Sequence, residues 1–165
     1  LGPAEAWRWQ QLITSARPLG ADVNRLAVLR DMRLEQVRGM TGEEVVSLMQ
    51  RMSTATELPK LAYHFAKHGQ LLGATGQEEY LATFREHIRR ADLRIGTALR
   101  PKDQAPMWYL VAMDSETIAQ YNQSTGRYWT FFKTRDLARY LRDVNIWWVE
   151  AVRRSGGWSF VPWKT

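Results

Sequence analysis

The sequence has no cysteine among its 165 residues, so it has neither a disulfide framework nor a catalytic or metal-binding thiolate. It has no apolar run of the roughly 20 residues that a membrane-spanning helix needs, and no signal peptide is visible. Histidine is scarce, with only three in the chain. The chain begins Leu1-Gly2-Pro3, and we expect it to be a segment of a longer protein. We expect a globular protein with no membrane partner.

Positive charge is in excess and unevenly distributed. Hydrophobic residues make up 45% of the chain and charged residues 24%, with a net charge of +6. Residues 1–53 contain 7 Lys/Arg against 6 Asp/Glu, whereas residues 54–165 contain 16 against 11. A basic surface favours polyanions such as RNA, DNA or an acidic protein, although a solvated surface of this charge is also common.

Hydrophobic periodicity divides the chain into a helical first part and a mixed second part. Helical patterns run over residues 4–16 and onward from Asp22, and Thr41 begins a capping box that ends at Glu44. Residues 53–57 are polar and form the best candidate boundary. We therefore predict a helical preface over residues 1–53 and a second domain over residues 54–165.

Residues 58–73 form a predicted helix that carries two imidazoles and one ammonium group. Pro59 suits its first turn, where the missing N–H has no partner, and Gly69 suits its end. His68 lies on the apolar stripe of this helix, and His64 lies one turn before it. The stripe consists of Leu61, Phe65, His68 and Leu72.

A further helix is predicted to follow, with a capping box from Thr75 to Glu78 and an apolar face that continues to Ala91. Arginines spaced four apart form rows on its exposed side. Such rows are usually solvated, and an anion nearby relieves their mutual repulsion. The rows join Arg85 with Arg89 and Arg90 with Arg94.

From Met107 onward the apolar pattern changes from the helical period to the alternating period of strands. A helix that Thr134 is expected to cap interrupts these strands. The pattern predicts an α+β fold, with N-terminal helices packed on one face of a C-terminal antiparallel sheet. The predicted strands cover residues 107–113, 117–121, 127–133, 146–152 and 158–163. In the third strand, Tyr128, Thr130 and Phe132 are predicted on one face and Trp129 and Phe131 on the other.

The two neighbouring histidines have three interpretations. A histidine on an apolar stripe is most often a hydrogen-bonded core residue, which suits His68. Histidines at i and i+4 can share a zinc ion, but Phe65 stands where the metalloprotease motif has Glu, and no third ligand is evident. The third interpretation is acid–base catalysis, because the imidazole pKa lies near neutrality. The residues alone leave all three open, and we expect no metal and no cofactor.

Three stretches together resemble a known family: HFAKHG at residues 64–69, ATGQEEYL at 74–81 and AQYNQSTGRYWTFFK at 119–133. The chain from about Leu58 to Lys133 is similar to the C-terminal ribonuclease toxin domains of bacterial polymorphic toxins, which have the barnase/EndoU/colicin/RelE-like fold. Leu71-Leu72-Gly73 departs from the family, whose members often have Glu-Phe-Gly after the HG. The resemblance covers none of residues 1–53, which would be a pre-toxin segment.

The resemblance implies a metal-independent endoribonuclease acting through attack by the RNA 2′-OH. It implies RNA as substrate, tRNA included, a cognate immunity protein as partner, and a secreted effector that acts in the cytoplasm of a target bacterial cell. His64 and His68 suit acid and base, Lys67 suits charge stabilisation, and Thr130 suits a hydroxyl donor to phosphate. The residues expected to bind substrate are Asn122, Arg127, Lys133 and Arg89.

A non-catalytic nucleic-acid-binding module is the alternative. It rests on the basic excess, on the many aromatic residues and on the helix-turn-helix outline of residues 34–49. The residue pattern does not decide between the two, because both require a basic, aromatic surface.

Overall fold

The computed structural model describes residues 39–100, 102–152 and 157–162. The helices predicted over residues 4–16 and from Asp22 lie outside this described part. Within it there are four helices and six strands. In chain order the elements are α1 Gly42–Thr54, α2 Leu61–His68, α3 Gln77–Ile88, β1 Arg94–Leu99, β2 Pro106–Ala112, β3 Thr117–Asn122, β4 Arg127–Lys133, α4 Leu137–Asp143, β5 Trp147–Val152 and β6 Gly157–Pro162.

The six strands form one antiparallel sheet in the order β4-β3-β2-β1-β5-β6. The first four strands make a meander, and β4 is therefore an edge strand. The chain then crosses through α4 to the other side of β1, where β5 joins through Gly96 opposite Trp148 and Thr97 opposite Trp147. The predicted α+β fold, with helices preceding an antiparallel sheet, is confirmed.

The sheet is covered on both faces. All seven residues of β2 are buried, and its alternate side chains enter two different cores. Trp108 and Leu110 pack with residues of α1 and α3, whereas Met107 packs with α4. The prediction of helices on one face was therefore incomplete, because α4 packs on the opposite face through Leu137 and Leu141. Among the described helices, none is long and apolar enough to cross a membrane.

The strand β1 was missed by the sequence analysis, which extended the preceding helix to Ala91. The helix α3 ends at Ile88, and the chain then turns into β1 at Arg94. Arg90 stabilises this turn by donating to Asp92 and Asp114 at 2.7 and 2.8 Å. The predicted helical row of Arg90 and Arg94 was wrong, because Arg90 lies in the turn after α3 and Arg94 begins β1.

Of the three predicted helix caps, one is confirmed and two are wrong. Thr41 is the N-cap of α1, and its side chain accepts the N–H of Glu44 at 3.2 Å. Gly76 rather than Thr75 precedes α3, and Asp136 rather than Thr134 caps α4 by accepting the N–H of Arg139. At α4, the carboxylate of Asp136 takes the capping position that was predicted for the hydroxyl of Thr134, because Asp136 is two residues closer to the helix.

The proposed boundary at residue 53 falls one residue before the end of α1. Val45, Leu48 and Met52 of this helix are almost fully buried in the core that contains Phe84 of α3. Tyr128 of β4 donates to the backbone carbonyl of Met52 at 2.5 Å. The described end of the first segment therefore packs with the second, and the division into two domains remains a prediction.

Candidate active site

The helix α2 brings the two neighbouring histidines to the edge of the sheet. It begins at Leu61, two residues after Pro59, and ends at His68. The N–H of the next residue, Gly69, bonds to the carbonyl of Phe65 at 2.8 Å. A side chain at position 69 would lie 2.6 Å from the Phe65 ring, so this close approach requires glycine. His64 is the buried residue of the helix, with 7% of its surface exposed.

This burial reverses the sequence expectation, which put His68 at the centre of the apolar stripe. His68 is only half-buried, and its ring lies 5.5 Å from that of Phe132. The reason is tertiary: the face of α2 that carries His64 lies against β4, so the polar side of the helix is covered by the sheet edge. Leu61, Phe65 and Leu72 still pack against the core, as predicted.

A β-bulge in β4 shapes the surface opposite this helix. Gln120 pairs with Thr130 but Tyr121 pairs with Tyr128, so Trp129 is an extra residue in the ladder. Tyr128 and Phe131 consequently face the same side, and both rings contact Phe84 of α3, at 4.9 and 5.7 Å. The simple alternation predicted for this strand was wrong at Tyr128, and Trp129 remains 47% exposed.

The histidine helix and the bulged strand enclose a cleft of about 630 Å³. His64 Nδ1 lies 3.3 Å from Thr130 Oγ1, although 66 residues separate them in the chain. The imidazoles of His64 and His68 are nearly parallel, with ring centroids 6.1 Å apart. All four residues predicted to be catalytic line this cleft. The lining comprises Pro59, Lys60, Tyr63, His64, Lys67, His68, Tyr128, Trp129, Thr130 and Phe132.

Burial and nearby positive charge favour the neutral form of both cleft imidazoles. Burial lowers the pKa of His64, and the positive charges of Lys67 and Lys60 lower it further. A hydrogen bond with the backbone of Trp129 opposes these effects on the pKa of His64. Burial also lowers the pKa of His68, with smaller contributions from His64 and Lys67. The described lining contains no carboxylate, so its fixed charge is positive.

The four residues predicted to bind substrate are not among those that line the cleft. Asn122 is buried, and its side-chain oxygen accepts the N–H of Ser124 at 2.9 Å, so it shapes the β3–β4 turn. Arg127 and Arg89 are exposed, at the start of β4 and the end of α3. Lys133 lies at the far end of β4, beside a second pocket.

Three cleft residues were missed by the sequence analysis: Lys60, Tyr63 and Trp129. Lys60 precedes α2 in a left-handed backbone conformation, with φ of 56°. Tyr63 is 58% exposed, and Lys67 Nζ lies 5.8 Å from its ring centroid. Each of the two aromatic residues directly precedes a predicted catalytic residue, and that adjacency was the available signal.

The third histidine, His87, occupies a different environment on α3. Its Nε2 donates to the carbonyl of Leu110 at 2.8 Å, so a neutral ring must accept at Nδ1 from Thr117 Oγ1, 3.3 Å away. Thr117 in turn bonds to Ser115, which accepts from Arg90. Burial is the main cause of the lowered pKa of His87, and only 4% of the surface of this residue is exposed. We call this series of hydrogen-bonded side chains, Arg90–Ser115–Thr117–His87, the buried relay.

Neither histidine region provides a recognisable metal centre. Among the described residues, no group of three or more His, Asp or Glu side chains has the arrangement needed to hold an ion. Comparison of the chain with protein-family models, with curated proteins and with solved structures found no match.

Proposed function

We propose that this protein is a metal-independent endoribonuclease that cleaves RNA through attack by the 2′-OH. One observation carries the proposal: His64, Lys67, His68 and Thr130, from two distant parts of the chain, line a single cleft whose fixed charge is positive. Two imidazoles, a cation and a hydroxyl are the groups that this reaction requires.

In the proposed mechanism, His64 is the general base. We assign its proton to Nδ1, which lies 3.3 Å from Thr130 Oγ1, because this tautomer leaves the lone pair of Nε2 to take the 2′-OH proton. The 2′-oxygen attacks phosphorus, the bond from phosphorus to the 5′-oxygen breaks, and His68, in the molecules in which it is protonated, supplies the proton to the leaving oxygen. The products are a 2′,3′-cyclic phosphate and a free 5′-OH.

Lys67 and Thr130 stabilise the charge that develops on phosphate. The ammonium of Lys67 is exposed on the cleft side of α2 and lowers the pKa of both histidines, so its charge acts across the site. In the tautomer described above, Thr130 accepts from His64 and keeps its own hydroxyl proton for a phosphate oxygen. A cation and a donor aimed at one phosphate favour the transition state over the ground state.

We extend the proposal to biological role on the resemblance of residues 58–133 alone. It makes the protein a bacterial toxin domain, delivered as a secreted effector to the cytoplasm of a target bacterium and neutralised by an immunity protein. The competing function is a non-catalytic nucleic-acid-binding module. The exposed Trp129 and the cleft lysines support this function as well, because they suit nucleic-acid binding whether or not the RNA is cleaved.

The experiment is a time course of purified protein with total RNA and with a defined RNA oligonucleotide, with and without EDTA. We expect cleavage that survives EDTA and leaves 2′,3′-cyclic phosphate ends. An oligonucleotide with one 2′-deoxy substitution at the cut site should resist cleavage there. Cutting of that deoxy site at the normal rate would exclude 2′-OH attack, and binding without cleavage would favour the binding module. Loss of activity with EDTA and its return with zinc would indicate a metal-dependent enzyme.

A further inference from the structure

The side chain of Trp129 is held in an unusual position for a large aromatic residue. The β-bulge removes it from the regular alternation of β4, and 47% of its surface is exposed at the cleft. Its neighbours in the chain, Tyr128 and Thr130, are both buried.

Contacts outside the cleft fix the orientation of this indole. The guanidinium carbon of Arg100 lies 4.5 Å from the ring centroid of Trp129, in cation–π geometry. Arg100 is in turn held by Asp103, with Nε to Oδ1 at 2.9 Å and Nη2 to Oδ2 at 2.6 Å. Arg100 is not part of the cleft lining, so this support leaves the indole available on the cleft side.

We propose that Trp129 is a stacking platform for one unpaired nucleobase, and that the cleft therefore takes single-stranded RNA. This deepens the proposed ribonuclease function and rests on it for the identity of the substrate. The charge of the cleft agrees with a nucleotide, since Lys60 and Lys67 flank the histidines and no described lining residue is acidic. Lys60, Lys67 and Trp129 line the same cleft, so positive charge and an aromatic surface are presented to one ligand.

The proposal restricts the substrate by secondary structure. Stacking on a protein side chain requires a base that has left its own helical stack, and bases of an A-form duplex are not available in this way. Loops, bulges and single-stranded ends satisfy the requirement. Stacking is also tolerant of base identity, because every base has a π-face. We therefore expect cleavage confined to unpaired nucleotides, with weak preference among the four bases.

The test measures binding separately from cleavage. A fluorescent all-deoxy single strand, which has no 2′-OH to attack, is titrated with the protein by fluorescence anisotropy at low salt. Trp129→Ala should weaken its binding about tenfold, and Trp129→Phe should retain most of the affinity. Arg100→Ala should give a smaller loss. Met113→Ala, which removes an exposed apolar side chain elsewhere, serves as the matched control and should bind like the parent.

The outcomes distinguish this proposal from the proposed function. If Trp129→Ala binds the single strand as well as the parent does, or if a duplex of the same sequence binds as tightly as the strand, the platform is wrong. That result leaves His64-dependent cleavage unaffected. If Trp129→Ala weakens binding of the single strand but the protein leaves ribo-oligonucleotides intact, the stacking site is supported and the proposed ribonuclease function is wrong. Binding of an acidic protein but of no oligonucleotide overturns the platform as well.

Discussion

The cleft around His64 and the buried relay around His87 use the same kind of side chain in different ways. In the relay, both ring nitrogens of His87 have protein partners, and the carbonyl of Leu110 fixes which nitrogen carries the proton. In the cleft, Nδ1 of His64 contacts Thr130, and the ring also lines a space of about 630 Å³. Burial lowers the pKa of both histidines.

The difference teaches that a depressed pKa does not by itself identify a catalytic histidine. His87 has the more enclosed ring, yet its hydrogen bonds are satisfied within the protein, which is the arrangement of a structural residue. Both histidines line a pocket, but His64 shares its cleft with a second imidazole and two lysines, whereas the pocket beside His87 contains no other histidine among its described lining. The combination separates the two regions, and substitutions in each should have separate effects on activity and stability.

The largest expected effect is on cleavage when the cleft histidine is removed. His64→Ala should lower the cleavage rate by about 10²–10⁴-fold, because the general base is lost. RNA affinity should remain nearly intact, since many scattered Arg and Lys contacts carry it. Single-turnover cleavage and anisotropy measure the two quantities on the same preparation. Equal cleavage by His64→Ala and the parent contradicts the assignment of His64 as base.

Removing the relay histidine should instead affect stability. His87→Ala leaves a cavity and deprives the Leu110 carbonyl and the Thr117 hydroxyl of a partner, so unfolding free energy should fall by about 2–4 kcal/mol. His87→Gln supplies one donor and one acceptor and should lose less. Urea unfolding gives the free energies, and cleavage per folded molecule should stay at the parental value. A large catalytic loss in folded His87→Gln removes the distinction between the two regions.

A smaller stability loss should follow when the relay is interrupted one residue away. Thr117→Val keeps the volume but removes the hydroxyl that donates to His87 and accepts from Ser115, at an expected cost of about 1–3 kcal/mol. The matched substitution in the cleft is Thr130→Val. It should lower cleavage by freeing the orientation of His64, and it should cost less stability than Thr117→Val, since it removes one side-chain hydrogen bond where Thr117→Val removes two. The opposite ranking in urea contradicts the comparison.

Stability should fall as the pH drops below 6.5. The folded-state pKa values of His64, His68 and His87 lie below the ordinary value of 6.5. Between those values and pH 6.5 the unfolded chain therefore binds more protons than the folded chain, and this difference favours unfolding. Above pH 6.5 all these rings are neutral in both states and the full stability is present. The loss begins near pH 6.5 and levels off below the folded-state pKa values. His87→Gln should flatten part of this slope in urea titrations at several pH values.

The smallest expected effect is a shift in the pH profile of cleavage. Lys67 lowers the pKa of both cleft histidines, so Lys67→Ala should raise these pKa values toward 6.5 and move both limbs of the profile to higher pH. It should also lower the maximal rate, because a cation near the phosphate is lost. Lys102→Ala, an exposed lysine outside the cleft, is the control and should leave the profile unchanged. An unshifted profile in Lys67→Ala means that its charge does not reach the histidines.

Local patterns in the sequence were enough to predict much of the architecture. The alternation in residues 107–133 predicted three strands of the meander within one or two residues, and the Thr41 capping box predicted the start of α1. Proximity of His64 and Thr130 was also expected, through the family resemblance, and they lie 3.3 Å apart. The strand β1 was missed because the helical pattern ran on past Ile88. The helix ends in backbone turn bonds at Arg89 and Arg90, and the Arg90 side chain then bonds to Asp92 and Asp114.

What the sequence by itself determined is most of the elements, among them the helix that carries His64, Lys67 and His68, since these depend on interactions between residues near in the chain. Tertiary structure alone decided which histidine is buried and that Trp129 faces the cleft. The first depends on how α2 docks on the edge strand, and the second on a bulge that arises only when β4 pairs with β3. Both are consequences of contacts between distant segments, and no periodicity within one segment records them.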